Sequence, residues 1–314
     1  MQKPKRLQPG DTIGIVSPSS RTTEKHINRM ISYFEEKDYS VTVAPNALAS
    51  FSFMAGTVKK RADDFNLMLR DPSVRMVMTS MGGAGALHLL PFIDYDALSS
   101  DPKIVVGLSD LVVILNALTC KTGVPTFHGP NGVEFGGGVP LVDIPVLLTR
   151  FTEENFWPII SENICIPYTF PVSHAKVLRE GKAEGRLFGG NLKTLQTLIG
   201  TPWEPEWENC ILFIEEFKNE IQKTDAMLAH FRLAGVFDAI NGLVVGQPAE
   251  CGEGEEESRE VVILRNCAEY DFPIIANIPL GHTDDKITLP IGCSVRLNTG
   301  DSSLELLESP TCER

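Results

Sequence analysis

The chain has 314 residues, of which 28 are Lys or Arg and 41 are Asp or Glu, giving a formal net charge of −13. This acidic balance opposes a surface that collects nucleic-acid phosphates or anionic lipid, and a content of 43% hydrophobic and 22% charged residues opposes disordered and fibrous classes. No apolar stretch approaches the roughly 20 residues that a membrane helix needs. We therefore expect a folded protein of about two domains, with neither nucleic acid nor a membrane as partner.

The cysteines predict a reducing environment. All seven are widely spaced, without a C-x-x-C pair and without a histidine at zinc-ligand spacing. The three basic residues within the first ten are not followed by an apolar signal core. These features predict free thiols, a cytoplasmic location and no metal site.

The first half of the chain alternates short β-branched runs with helical patterns. Strands are predicted over 12–16, 40–44, 74–79, 104–106 and 124–127, and helices over 27–34, 58–69, 84–90 and 111–117. Strands that alternate with helices in this way form a parallel sheet covered on both faces. The first half is therefore predicted to be an α/β domain.

The second half is less regular. A Gly-rich segment at 132–140 and an aperiodic stretch at 152–169 are typical of a connection. Beyond them we expect a Gly-rich turn at 185–190, a helix from 191, strands over 211–214, 242–245 and 274–277, helices over 223–234 and 258–270, and short β runs to 307. We therefore predict an N-terminal α/β domain at 1–150, a connector at 151–180 and a β-rich mixed domain at 181–314.

The first candidate for chemistry is a serine at the end of a predicted strand. The run from Lys103 to Asp110, KIVVGLSD, leads directly into an apolar helix. This places the Ser109 hydroxyl at the carboxyl end of a parallel sheet, where ligands of α/β folds bind. The pattern matches the nucleophile motif G-x-S-x-G only in part, because Asp110-Leu111 replaces x-Gly. The alternative is that Ser109 or Asp110 caps the helix.

A serine nucleophile needs a base and a carboxylate that orients it. Among six histidines, His282 lies in a Gly-preceded loop just after a predicted strand, the kind of loop that carries catalytic groups. The strand 211–214 ends in Glu215 and Glu216, and a period of two places these acids on opposite faces. The alternatives are a structural histidine and a solvated pair of acids.

A Gly-rich loop follows another predicted strand. In the stretch 79–86 the small residues let backbone N–H groups approach a ligand and face a developing anion. Neither the Walker pattern nor a complete G-x-G-x-x-G is present. An oxyanion role is therefore favoured over binding of a nucleotide phosphate.

In their order along the chain, these motifs resemble one family, the LD-carboxypeptidases and microcin C self-immunity serine peptidases. The matching stretches run nearly end to end: 9–19, 82–83, 94–96, 107–110, 122–130, 189–192, 213–216, 281–282 and 289–292. The resemblance implies a Ser-Glu-His triad, with Ser109 as nucleophile, Glu215 as orienting acid and His282 as base. It further implies oxyanion donors at the backbone amides of Gly83 and Asp110, an acyl-enzyme, a homodimer and no metal or organic cofactor.

The Gly-rich loop departs from the usual family pattern. LD-carboxypeptidases typically carry Arg-Gly-Gly-Tyr-Gly, whereas this chain has Met81-Gly-Gly-Ala-Gly85, which lacks the cation and the phenol. This favours the self-immunity branch and a small modified peptide or nucleotidyl-peptide as substrate, with the murein tetrapeptide as the alternative. Candidate substrate contacts are Asn191, Lys218 as a cation for a carboxylate, and Trp157 as a stacking face. A surface lysine and a packing tryptophan are the corresponding alternatives.

Two other classes of function remain compatible with the sequence. One is a non-catalytic binding module that keeps the cleft without the chemistry. The other is an α/β-hydrolase esterase, which would place its triad on one continuous sheet and normally has Gly where this chain has Leu111. Since Ser109 and the Glu215–His282 pair come from opposite halves, the family interpretation predicts a site at the domain interface.

Overall fold

The computed structural model describes residues 2–140, 144–146, 148–252 and 257–313 and contains two β-sheets. The strands are β1 (Thr12–Val16), β2 (Ser40–Val43), β3 (Val74–Thr79), β4 (Ile104–Gly107), β5 (Thr126–His128), β6 (Tyr168–Thr169), β7 (Lys176–Arg179), β8 (Lys182–Asn191), β9 (Cys210–Glu215), β10 (Gly242–Gly246), β11 (Ile274–Ile278), β12 (Leu289–Ile291), β13 (Ser294–Asn298) and β14 (Ser303–Leu306). The α-helices are α1 (Glu24–Glu35), α2 (Val58–Arg70), α3 (Tyr95–Ser100), α4 (Val112–Thr122), α5 (Gly132–Phe135), α6 (Arg150–Ser161), α7 (Leu192–Leu195), α8 (Ile221–Leu233), α9 (Val236–Ala239) and α10 (Arg259–Asn266).

The first sheet has six strands in the order β12-β5-β4-β3-β1-β2. Strands β1 to β5 are parallel, and the apolar residues of β1, β3, β4 and β5 are buried, as in sheets covered on both faces. The predicted N-terminal α/β architecture is confirmed. One edge was not foreseen: β12, from the last part of the chain, pairs antiparallel with β5. The two halves therefore share a sheet.

The second sheet has eight strands in the order β6-β14-β13-β8-β9-β10-β11-β7. Strands β8 to β11 are parallel, and antiparallel strands lie on both sides of them. This confirms the predicted β-rich mixed architecture. None of the helices among the described residues is long and apolar enough to cross a membrane, and the seven cysteines are free.

Three local expectations differ from the structure. The predicted turn at 185–190 lies within β8, because Gly189 and Gly190 extend and pair with β9. The predicted connector 151–180 contains most of helix α6, whose buried Phe156, Ile159 and Ile160 form a helical face despite Pro158. The predicted helix at 84–90 is a 3-10 helix over Ala86–Phe92, which contains a proline near its end.

Helix α4 and strand β8 approach each other closely and join the two halves of the chain shortly after Ser109. The Asn116 side chain donates to the Gly189 carbonyl at 2.9 Å and accepts from the Gly189 amide at 3.3 Å. A Cβ at Gly190 would lie 2.4 Å from the Val112 side chain, so only glycine permits this packing. The start of α4 is therefore held against the carboxyl end of β8.

Candidate active site

Ser109 occupies a strained turn between β4 and α4. Its φ is 66°, in the left-handed region that non-glycine residues rarely adopt. Such strain persists where the surrounding structure enforces it, and it is typical of nucleophile turns. Neither the short 3-10 helix at Ser109–Leu111 nor α4 has a side-chain cap, so the capping alternative is wrong. Half-buried Ser109 lines a cavity of about 430 Å³.

The Asp110 carboxylate holds the Gly-rich loop beside the serine. Its Oδ2 accepts a hydrogen bond from the Ser19 hydroxyl at 2.5 Å and another from the Ala86 amide at 2.8 Å. Gly83 and Asp110 line the same cavity as Ser109. The two residues whose amides are the predicted oxyanion donors therefore border the cavity that the serine faces.

Glu215 and His282 form a pair in the second half of the chain. Glu215 ends β9, and its Oε2 lies 2.9 Å from His282 Nδ1. The Glu215 side chain is fully buried, whereas 15% of the His282 side chain is exposed. Gly281 makes this contact possible: its φ is 85°, and a Cβ there would lie 2.5 Å from Glu215 Cγ. The carboxylate is thus placed to orient the imidazole.

Glu215 remains ionised despite its burial. Burial by itself would raise the pKa of this carboxyl, but attraction to His282, their hydrogen bond and nearby His128 together hold the pKa below its ordinary value. Glu215 Oε1 has no hydrogen-bond partner among the described residues. A charged carboxylate aligned on Nδ1 stabilises an imidazolium, which is the function of the acid in a serine triad.

Phe217 connects this pair to the cavity, and the sequence analysis did not identify it. Its ring stacks on the His282 ring with centroids 4.3 Å apart and an angle of 4°. Phe217 also lines the cavity that Ser109 and Gly83 line. The sequence offered one signal for Phe217, its position immediately after two acids at the end of a strand. Only the fold shows that its ring contacts His282.

Glu216 points to the other side of the strand. Its Oε2 lies 2.8 Å from Arg259 Nη1, with both side chains buried, and its Oε1 accepts from Thr224. The opposite-face prediction for the two acids therefore agrees with the geometry. The alternative of a solvated pair is wrong, because Glu215 is fully buried and Glu216 is almost fully so.

Asn191 reaches the cavity. It lines the cavity wall, and it stands opposite Glu215 in the β8–β9 register. Its Oδ1 accepts from the Thr194 amide at 3.2 Å and so caps α7. The cap fixes the side chain at the carboxyl end of β8, next to the strand that carries the acid.

Lys218 and Trp157 are not brought into the cavity wall. Lys218 is exposed, with its Nζ 3.3 Å from Glu250 Oε2 and 4.8 Å from the centre of the Phe217 ring, so its charge already has a partner. Trp157 stacks on Tyr39 with centroids 5.4 Å apart at 7°. Its indole N–H donates to the Tyr33 hydroxyl. The packing alternative therefore describes Trp157 better than the substrate-stacking prediction.

A further histidine, His128, interacts electrostatically with Glu215 and His282. His128 pairs with Gly107 in the first sheet, is fully buried, and packs edge-on against Phe213 with centroids 5.0 Å apart. Neither ring nitrogen has a hydrogen-bond partner among the described residues. Burial lowers the pKa of His128 to about 4, with a smaller opposing attraction from Glu215. His128 is therefore neutral near pH 7.

His128 makes the protein acid-sensitive. The unfolded chain binds a proton here as the pH falls below about 6.5, whereas the folded chain binds it only near pH 4. Acid therefore favours unfolding, and the stability lost from this group between these pH values is about 3 kcal/mol. We expect His128→Phe to reduce the loss of stability over this interval, as measured by urea unfolding at several pH values. Parallel pH–stability curves for the two proteins would contradict this expectation.

No group of three His, Cys, Asp or Glu side chains within the described ranges is arranged to hold a metal ion. The reactive side chains at the site are Ser109, on a strained strand-to-helix turn, and the pair formed by the buried Glu215 and His282. The serine follows a strand of the first sheet and the acid ends a strand of the second, which excludes the α/β-hydrolase interpretation with a triad on one sheet. The fold therefore carries these candidate groups on two different sheets, as expected for the hydrolase site predicted between the two halves of the chain.

The family follows from matches to both halves. Residues 13–129 match the LD-carboxypeptidase N-terminal domain and residues 184–297 match the LD-carboxypeptidase C-terminal domain. The chain belongs to the LD-carboxypeptidase family and is a carboxypeptidase-type amide hydrolase. The binding-module alternative is therefore set aside.

Individual relatives cover almost the whole chain. It is 29% identical to the microcin C7 self-immunity protein MccF of Escherichia coli, over 96% of this chain and 94% of that protein. It is 30% identical to a protein of Bacillus subtilis (strain 168) named as a probable murein peptide carboxypeptidase, over 96% and 93%. The structure of MccF in complex with aspartyl sulfamoyl adenosine is similar at a TM-score of 0.89 and 27% identity, covering 99% of this chain and 100% of that one.

Proposed function

We propose that this chain hydrolyses an amide bond of a small peptide conjugate through an acyl-enzyme on Ser109. The observation that carries the proposal is the 2.9 Å contact between Glu215 and His282, because it aligns a buried carboxylate with an imidazole. The Phe217 ring, stacked on that imidazole, borders the cavity of Ser109. The proposed roles are nucleophile for Ser109, general base for His282 and orienting acid for Glu215.

In the first half-reaction, His282 Nε2 takes the Ser109 proton while Oγ forms a bond to the scissile carbonyl carbon. The carbonyl oxygen becomes an oxyanion, and the Gly83 and Asp110 amides donate hydrogen bonds to it. The intermediate collapses as the C–N bond breaks and the imidazolium gives its proton to the leaving nitrogen. An ester on Ser109 remains, and the amine product leaves.

In the second half-reaction, His282 takes a proton from water, and the resulting hydroxide adds to the ester carbon. Collapse of this second intermediate breaks the bond to Oγ, and the imidazolium returns a proton to Ser109. The acyl part leaves as a carboxylic acid. Every proton that His282 takes is returned and no atom changes its oxidation state, so the route consumes only water.

The proposed substrate is a peptide or aminoacyl conjugate, such as an aminoacyl-nucleotide, whose leaving group is larger than a single amino acid. Met81 and Ala84 replace the Arg and Tyr of typical LD-carboxypeptidases, which removes donors that a murein carboxylate would use. Similarity to MccF, solved with aspartyl sulfamoyl adenosine, supports this choice. The second candidate is a murein tetrapeptide, favoured by relatives named as murein peptide carboxypeptidases. We further propose that the chain is located in the cytoplasm and assembles as a homodimer.

We expect kcat/KM for an aminoacyl sulfamoyl adenosine to exceed that for a murein tetrapeptide by at least about tenfold, a difference of about 1.4 kcal/mol in transition-state binding. The measurement compares both substrates under one condition, with Ser109→Ala as the blank. A tenfold advantage for the tetrapeptide would instead assign the chain to murein recycling. Hydrolysis of neither compound would overturn both substrate assignments.

A further inference from the structure

The cavity beside Ser109 has two walls from opposite halves of the chain. One is the Gly-rich loop and the 3-10 helix after it, from Gly83 to His88. The other is the segment from Asn191 to Thr197, which contains α7. Because Asn191 stands opposite Glu215 in the sheet register, this second wall is tied directly to the strand that ends in the acid. The side chains of the segment from Asn191 to Thr197 are therefore held at fixed positions relative to Glu215.

The described lining residues include one charged side chain of each sign. Lys193 is the one Lys or Arg among the described residues that line the cavity, and Asp110 is the one acid. The Asp110 Oδ2 already accepts from the Ser19 hydroxyl and the Ala86 amide. Lys193 is exposed and forms no hydrogen bond or ion pair within the described residues. Its ammonium group is therefore available to a ligand.

The two hydroxyl groups that follow Lys193 in this wall do not supply the same function. The Thr194 hydroxyl donates to Asn191 Oδ1, and the Thr197 hydroxyl donates to the Thr194 carbonyl, so neither has a proton left for an anion. Lys218, the cation chosen from sequence, is paired with Glu250 and lies outside the cavity wall. The chain has a net charge of −13, so an anionic ligand needs a local cation to bind. The unpaired Lys193 in this wall supplies one.

We propose that Lys193 is a specificity-determining residue that binds an anionic group carried by the substrate beside the scissile amide. This inference deepens the proposed function and rests on it. The chemistry recognised is a carboxylate or a phosphate-type anion, which has two sources: the terminal carboxylate of a peptide or the phosphoramidate of an aminoacyl-nucleotide. A single ammonium binds either as a point charge.

The test uses matched pairs of substrates. The peptide arm compares a peptide ending in a free carboxylate with its carboxamide, and the nucleotide arm compares an aminoacyl phosphoramidate with its phosphate methyl ester. In the arm that contains the true source, Lys193→Gln is expected to raise KM for the anionic member about tenfold and leave kcat nearly unchanged, the pattern of lost ground-state binding. The neutral member is unaffected. Lys193→Glu has a larger effect, and the difference shrinks as salt rises.

Two control variants separate this role from general changes of charge. Lys223→Gln removes another exposed cation, on α8, whose side chain is 66% exposed, and is expected to change neither pair. Lys218→Gln tests the cation chosen from sequence. A selective rise in KM from Lys218→Gln instead of Lys193→Gln would overturn the proposal, as would equal effects of Lys193→Gln on the anionic and neutral members.

Binding without turnover distinguishes a failure here from a failure of the proposed function. Calorimetry compares Ser109→Ala with the Ser109→Ala/Lys193→Gln double variant, using the same two pairs of compounds. A tenfold weaker Kd for an anionic member alone supports the proposal, even if wild-type protein hydrolyses neither compound. Equal Kd values, or no binding of either anion, contradict it. Thermal unfolding of each variant checks that the exposed substitution leaves the fold intact.

Discussion

Ser109→Ala is expected to abolish hydrolysis, lowering kcat by about 10⁴- to 10⁶-fold. The hydroxyl belongs to a half-buried side chain at the cavity, so its removal takes away the nucleophile and little packing. The strained φ of 66° is imposed by the chain around it and should persist in the variant. Steady-state turnover measures the loss, and urea unfolding measures the retained fold.

The matched control is Ser99→Ala, whose hydroxyl donates to the Tyr95 carbonyl within α3. It removes the same atom at a distance from the cavity and should keep wild-type turnover. If Ser109→Ala retains more than a few per cent of wild-type activity, Ser109 is not the nucleophile. A burst of product in wild-type protein that is missing in the variant would further support the acyl-enzyme.

Glu215→Gln is expected to lower kcat about 10⁴-fold, since an amide neither carries the charge that stabilises the imidazolium nor holds its tautomer. The fully buried position keeps nearly the same shape, because Gln and Glu have similar volumes. KM should change far less than kcat, as the interaction strengthens only when His282 becomes charged. Steady-state kinetics on the folded variant gives both constants.

Glu216→Gln makes the same chemical change one residue further along. It leaves Arg259 buried without its ionic partner, and removing one member of a buried pair costs about 3–5 kcal/mol of stability. The folded fraction should nevertheless keep kcat within a few-fold of wild type. Similar losses of kcat in the two variants, or a larger loss in Glu216→Gln, would show that the wrong acid has been assigned to His282.

The triad interpretation needed both the sequence and the fold. Period-2 alternation along β9 separated Glu215 from Glu216 without any structure, because successive strand residues face opposite sides. The contact of Glu215 with His282 spans 67 positions of sequence, and it depends on Gly281 leaving room for the carboxylate. No local pattern reports a distance of that kind.

The strong periodic elements of the first half were determined by the sequence itself. Strands β1 and β3 and helix α2 match the predicted ranges to within a residue, because buried apolar spacing dictates their faces. The weakest prediction was the connector. Pro158 masked the helical period of α6, whose buried face is completed by packing that only the tertiary structure supplies.

Composition and periodicity determined the α/β class and the mixed second half, because burial and strand geometry act locally along the chain. The three residues proposed for catalysis were selected by the resemblance of the motifs to one family. The tertiary structure alone decided which charges and rings face the cavity. Lys218 pairs with Glu250 and Trp157 stacks on Tyr39, whereas Lys193 and Phe217 line the cavity wall. These contacts are made with residues distant in sequence. The environment of a charged or aromatic side chain is set by the residues that it contacts in the fold and not by its neighbours along the chain.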